Sequence, residues 1–267
     1  MPRARVLIPL PDHDFDTTEV AVPWRILTRA DIEVVFATER GAPAACDPLL
    51  LSGVVFGKLG AEPEAKALYE ALTKTAAFKY PLAFGSLDVA SFDGLLLPGG
   101  HAKGMRQYLE SRALFDQVRA FWKLRRPVAA ICHGVLVLAR TVDPETGRSV
   151  LFDRKTTCLP KYMERTAWLS TAWKLRDYYR TYPEYVEDEV KRSLAHPEQF
   201  ERGPIHLFAK GTDVDDRAAF IVTDANYISG RWPGDAYRLG KALADKVLAR
   251  TVASSEDGTS RASTARR

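Results

Sequence analysis

Cysteine is scarce in this chain, and long apolar runs are missing from it. The 267 residues hold three cysteines, Cys46, Cys132 and Cys158. An odd count at no metal-like spacing leaves at least one thiol free unless it pairs between chains, and such usage suggests a reducing cytoplasm. The opening MPRARVLIPLPDHD has a short apolar run that prolines and acids stop at once. It is too short for a secretory h-region or a membrane span. A net charge of +4 comes with no long basic run, so neither nucleic acid nor a membrane is expected as a partner. The five histidines show no paired zinc spacing, and no metal is expected. No internal repeat or linker divides the core.

What is present is an ordinary globular composition, 46% hydrophobic and 27% charged, enough for a sizeable core without a metal or disulfide staple. Val6-Leu7-Ile8 reads as a first buried strand and Thr17 to Ala30 as a helix, with Asp16 and Glu19 at capping-box spacing. Glu33 to Ala37 is a second strand. After an irregular stretch, 41–91, with one helix near Glu64 to Leu72, Gly94 to Leu97 is a strand ending in Pro98-Gly99-Gly100. Met105 to Leu124 reads as one amphipathic helix, Pro127 to Ile131 as a strand, and a helix follows to Arg140. A helical insertion is expected at about 160–205, late strands at Ala218 to Thr223 and Tyr227 to Ser229, and a closing helix over Asp235 to Ala249. The tail, 251–267, lacks residues that could pack and is expected to be disordered. Short apolar strands alternating with helices predict one α/β domain over 1–250, a three-layer sandwich around a mostly parallel sheet. In such sheets ligands bind beyond the carboxyl ends of the strands.

The strongest chemical signal is Ala130-Ile131-Cys132-His133-Gly134. An apolar strand ends at a nucleophile-type residue flanked by small residues, the spacing of a nucleophile elbow. The helix N-terminus beyond it should lower the thiol pKa. Cys46, in an Ala/Pro loop, and Cys158, in Thr-Thr-Cys-Leu, read as ordinary buried cysteines.

LLLPGGH (95–101) and AAICHG (129–134) resemble the two signature loops of the ThiJ/PfpI superfamily. EVAVPWRIL (19–27) resembles its first helix, and NYISGRWPGDA (226–236) is similar to its late strand and turn. The resemblance covers most of residues 3 to 249 and is strongest to the glyoxalase III and chaperone branch. It implies a flavodoxin-like fold with Cys132 as nucleophile, Glu19 as the carboxyl beside its sulfur and His133 as base. Backbone N–H groups of Gly100 and His133 would form an oxyanion hole, with Gly99, His101 and Gly134 lining the substrate site. Glu164, in a segment resembling the one that carries an orienting carboxylate, either orients His133 or is an exposed helix glutamate. Glu19 can equally serve as the capping-box acid.

Three other motifs carry less. His196-Pro197-Glu198 imitates a glutaminase signature but follows a charged helix instead of an apolar strand. Asp12, Asp14 and Asp16 imitate a calcium loop without its glycine or closing glutamate. Tyr162, Leu169 and Trp173 fall at helical spacing, as on a helix packed over the body. The resemblance implies a small carbonyl or amide compound as substrate, turned over in a glyoxalase III-like reaction without a cofactor. Amide or peptide hydrolysis and a stress chaperone or redox sensor are the competing readings, and a homodimer is possible by the same resemblance.

Overall fold

The computed structural model describes residues 3–54, 59–205 and 209–264, with side chains as far as residue 252. The first half runs β1 (Arg5–Pro9), β2 (His13–Phe15), α1 (Thr17–Arg29), β3 (Glu33–Thr38), β4 (Ala45–Cys46) and α2 (Pro48–Ser52). It continues through α3 (Pro63–Thr73), α4 (Ala76–Lys79), β5 (Leu82–Ala83), β6 (Gly94–Leu97), α5 (Met105–Leu109) and α6 (Arg112–Lys123). Then come β7 (Val128–Ile131), α7 (Val135–Arg140), α8 (Lys161–Leu175) and α9 (Val186–Arg192). The chain closes with β8 (Ile221–Asp224), β9 (Tyr227–Gly230) and α10 (Ala236–Thr264).

Seven strands form one sheet in the order β5-β3-β1-β6-β7-β9-β8. Every pair is parallel except β8 with β9. All four residues of β6 and of β7 are buried, because helices cover both faces of the sheet. Adjacent strand residues face opposite ways. A Cβ on Gly94 would lie 2.8 Å from Val247 of α10 and 3.1 Å from Val6 on one side, while Leu7 and Leu95 pack with Leu114, Val118 and Phe121 of α6 on the other. Each such large apolar side chain contributes roughly 1.5–3 kcal/mol by leaving water. α1 packs on α3 and α10, completing the first helical layer. From central β1 the chain runs outward to β3 and β5, then returns to β6 on the far side of β1. The order reverses there, so a crevice opens between the ends of β1 and β6.

Three local expectations need correction. The helix expected over 105–124 is two helices: Glu110 leaves helical geometry, and Ser111 starts α6 afresh, its Oγ accepting from Leu114 N at 3.3 Å. The apolar period runs through the break, which is why the pattern alone hides it. The helical stretch from 161 is likewise divided, with α8 ending where Arg176 takes a left-handed φ of 52°. The closing helix runs past Ala249 to Thr264, over a segment expected to be unstructured; 265–267 lie outside the described residues. Once nucleated, a helix gains one backbone hydrogen bond per added residue and needs no packing partner to continue. Among the described residues, no helix is long and apolar enough to cross a membrane.

Candidate active site

The site assembles where three strand ends meet the start of α1. β7 ends at Ile131, and Cys132–Gly134 form a single tight turn before α7. Cys132 adopts φ 58°, the left-handed region that costs a non-glycine residue roughly 1–3 kcal/mol. The surroundings enforce it. A Cβ on Gly134 would lie 2.2 Å from Leu97 O and 2.6 Å from Pro98 O. A Cβ on Gly99 would lie 2.7 Å from His133 N and 2.9 Å from both Cys132 Cβ and Glu19 Oε2. The β6 and β7 loops therefore pass at backbone contact, which requires glycine on both sides.

α1 delivers the acid. Asp16 caps the helix, its Oδ1 accepting from Thr18 N at 2.8 Å and Glu19 N at 3.1 Å. The reciprocal half of a capping box is not made, because Asp16 N donates to Gly99 O. Glu19 turns inward instead, and its Oε2 accepts from Gly99 N at 2.8 Å. Glu19 is completely buried, and its Oε1 has no hydrogen-bond partner among the described residues. Burial, then the charge of Asp16, pushes the Glu19 carboxyl well above the usual carboxylate range; Gly99 N–H and the Cys132 thiol pull it partly back. Asp16 itself is raised to about 6, mainly by burial. Glu19 is thus held toward its neutral form beside the sulfur.

Cys132 Sγ lies 3.5 Å from His133 Nδ1, with both residues sealed from solvent. Burial pushes the thiol well up, charge on Glu19 and Asp16 adds to this, and the His133 N–H pulls it down. A helix-lowered thiol was expected; desolvation outweighs the few backbone dipoles of a short turn. Burial also holds His133 well below the usual imidazole range, helped by His101 and Arg140. The resting pair is therefore a neutral thiol beside a neutral imidazole, the protonation states that let His133 take the S–H proton as the sulfur attacks.

The other expected residues divide. His101 joins the site: its ring stands edge-on to His133 at 4.9 Å between centroids, and its buried Nε2 has no partner among the described residues. Burial lowers His101 to about 4. Gly100 lies at the same loop, against Asp14 O and Met105. Gly99 donates its N–H to Glu19, and Gly134 answers a packing demand, so both shape the site. Glu164 does not orient His133. Its Oε2 accepts from Val186 N at 3.0 Å at the start of α9, its Oε1 faces Arg180 at 3.7 Å, and His133 Nε2 has no partner among the described residues. Nor is Glu164 an exposed helix glutamate, since it is buried; a loose motif match could place the residue near the site but not fix its partner.

The remaining motifs fall outside. His196 is exposed at the start of a one-turn 3₁₀ helix, its N–H donating to Gln199 Oε1. Asp14 Oδ2 accepts from Gly104 N, and Asp16 caps α1, so these acids close loops. On α8, Tyr162 packs on the core while Leu169 and Trp173 are exposed.

The sequence gives no sign of the polar support that the 178–182 segment brings. Tyr179 packs edge-on to His101 at 6.1 Å, and Thr181 Oγ1 donates to His101 O at 2.6 Å. Buried Asp47 accepts from the hydroxyls of both Tyr178 and Tyr179. Tyr108 adds a buried hydroxyl without a partner among the described residues, raised by burial and by Glu19. Tyr179 and Thr181 lie in the 160–205 region, which the sequence marks only as a helical cover.

The profile described as ThiJ/PfpI family-like matches residues 10–204. The uncharacterized protein C14C4.04 of Schizosaccharomyces pombe is 28% identical over 253 residues, spanning 91% of this chain and 84% of its own. The Rapid Encystment Protein of Francisella tularensis superposes with a TM-score of 0.69 at 15% identity, covering 91% of this chain and 99% of that one. Glyoxalase III of Candida albicans gives 0.64 at 20% identity, covering 92% and 96%. At such identities these two likenesses speak for the fold alone. Matched over well more than half its length, the chain belongs to the ThiJ/PfpI family.

Proposed function

We propose that this chain is a cysteine enzyme acting on a small 2-oxoaldehyde, glyoxalase III-like in its chemistry. The observation that carries this reading is Cys132 Sγ, strained at φ 58° and 3.5 Å from a neutral imidazole, with the Glu19 carboxyl turned toward it. As the sulfur adds to the aldehyde carbon, His133 Nδ1 takes the thiol proton and the C=O pair moves to oxygen. The His133 and Gly100 N–H groups are the donors we assign to that oxyanion. Proton transfer from C1 to C2 through an enediol turns the hemithioacetal into a thioester. One water then releases the 2-hydroxy acid and restores the thiol. The aldehyde carbon is oxidised as its neighbour is reduced, so no external redox partner enters. Polar atoms on Glu19, His101, His133 and Tyr108 without a partner among the described residues suit a short, oxygen-rich substrate.

The test is consumption of methylglyoxal with release of lactate in the absence of glutathione. Cys132→Ser should lower turnover by about 10³-fold or more, as loss of a covalent nucleophile does. Turnover retained in that variant would remove the sulfur from the chemistry. Release of ammonia from amides without aldehyde turnover would point to a hydrolase instead.

A further inference from the structure

No histidine spacing in the sequence suggests a metal, yet the fold brings three ligand-type atoms together from two loops. Cys132 Sγ and one ring nitrogen each of His101 and His133 lie within 4.8 Å of one another. We propose that Cys132, His133 and His101 form a binding site for a borderline-soft divalent cation of the zinc class, and that such a cation blocks the nucleophile reversibly.

Geometry supports this first. Zn–S and Zn–N bonds of about 2.3 and 2.0–2.1 Å at a tetrahedral angle place sulfur and nitrogen about 3.5 Å apart. The Cys132 Sγ to His133 Nδ1 separation is 3.5 Å. The widest gap in the trio must close by roughly 1 Å or slightly more to reach the same geometry. The His101 ring can supply that movement: the residue is partly exposed, and its Nε2 has no hydrogen-bond partner to lose among the described residues.

Donor chemistry then selects the ion. One thiolate and two imidazoles favour zinc, cobalt or copper over magnesium or calcium, which take oxygen. Three protein ligands leave a fourth position open, unlike a closed structural site. Among the described residues, His133 Nε2 also lacks the acceptor that usually fixes a metal-bound histidine. Both features describe an exchangeable ion. Binding releases the Cys132 thiol proton to solvent and occupies the sulfur and imidazole lone pairs that the proposed reaction needs.

The experiment is titration of chelator-treated protein with Co²⁺. We expect one equivalent per chain, with a thiolate-to-cobalt charge-transfer band in the near ultraviolet. Cys132→Ser should abolish the band, and His101→Ala should weaken binding by about tenfold or more. A measurement on the unaltered chain covers variants that fail to fold. Zn²⁺, but not Mg²⁺, should protect Cys132 from iodoacetamide, with Cys46 and Cys158 as internal references. No band and no protection, or a band undiminished in both variants, overturns the site. Blocked turnover rests on the proposed function, whereas the band does not. Cobalt bound with turnover unchanged keeps the metal site and removes Cys132 from catalysis.

Discussion

Glu19 and Glu187 are both buried to within 1% of full, yet the protein treats them in opposite ways. Glu187 accepts from Lys161 N at 2.9 Å and from Lys191 and Arg202. These partners outweigh burial and hold its carboxyl down at about 2. Glu19 has one backbone donor, a second oxygen without a partner among the described residues and the half-buried Asp16 nearby, so its carboxyl is held up. Glu187 ties α8, α9 and the segment near 202 together and leaves no unmet polar demand. Glu19 leaves a demand standing beside a strained cysteine. Equal burial therefore separates into structure and chemistry according to whether the hydrogen-bonding capacity is filled.

The contrast can be broken most sharply at Glu19. Glu19→Ala should lower kcat/KM by about 100-fold, or about 2.7 kcal/mol of transition-state stabilisation, in the methylglyoxal assay. Glu19→Gln should keep most activity, because a neutral amide copies a protonated carboxyl and can still accept from Gly99 N. Equal loss in the two variants would mean that Glu19 works as a charged group.

The same isosteric change should have the opposite weight at Glu187. Glu187→Gln is expected to cost about 2 kcal/mol in denaturant unfolding, since bonds to charged groups contribute about 1.5–3 kcal/mol. Glu19→Gln should shift stability by no more than about 0.5 kcal/mol. Matching shifts would erase the distinction.

The pH dependence sharpens it further. Glu187 is lowered from 4.5 to about 2, so its contribution is full above about pH 4.5 and is lost as pH falls toward 2. Glu164 is raised from 4.5 to about 7, chiefly by burial. Its contribution is full below about pH 4.5 and is lost as pH rises through 7. Asp16, raised to about 6, acts in the same direction. Melting temperature should therefore fall between about pH 5 and pH 8, and Glu164→Gln should flatten that fall. An unchanged slope in the variant would show that Glu164 ionises normally. The smallest effect belongs to His196→Ala at an exposed turn, within about 0.5 kcal/mol and without change in turnover.

The sheet was legible because its information is local. Val6-Leu7-Ile8, Gly94–Leu97 and Val128–Ile131 are short apolar runs that only a doubly covered sheet accommodates, and each is a strand. The elbow was legible for the same reason: Gly134 must be small where Cys132 turns, and both requirements sit in one pentapeptide. Long-range pairing was not. The spacing of Glu164 says nothing about Val186 N or Arg180, and capping-box spacing cannot show that Asp16 N bonds Gly99 O instead. The thiol's upward shift is not legible in the sequence, because desolvation depends on everything packed around the sulfur, while only the helix beyond it can be seen there. His101 stands with Cys132 and His133 because two loops converge, 31 and 32 residues apart in the chain.

One measurement tests the central claim directly: iodoacetamide titration of the purified protein, following turnover and mapping each alkylated cysteine by mass spectrometry. Activity should fall in proportion to alkylation of Cys132 and reach zero at one label there, independent of Cys46 and Cys158. Full turnover with Cys132 completely alkylated would contradict the account.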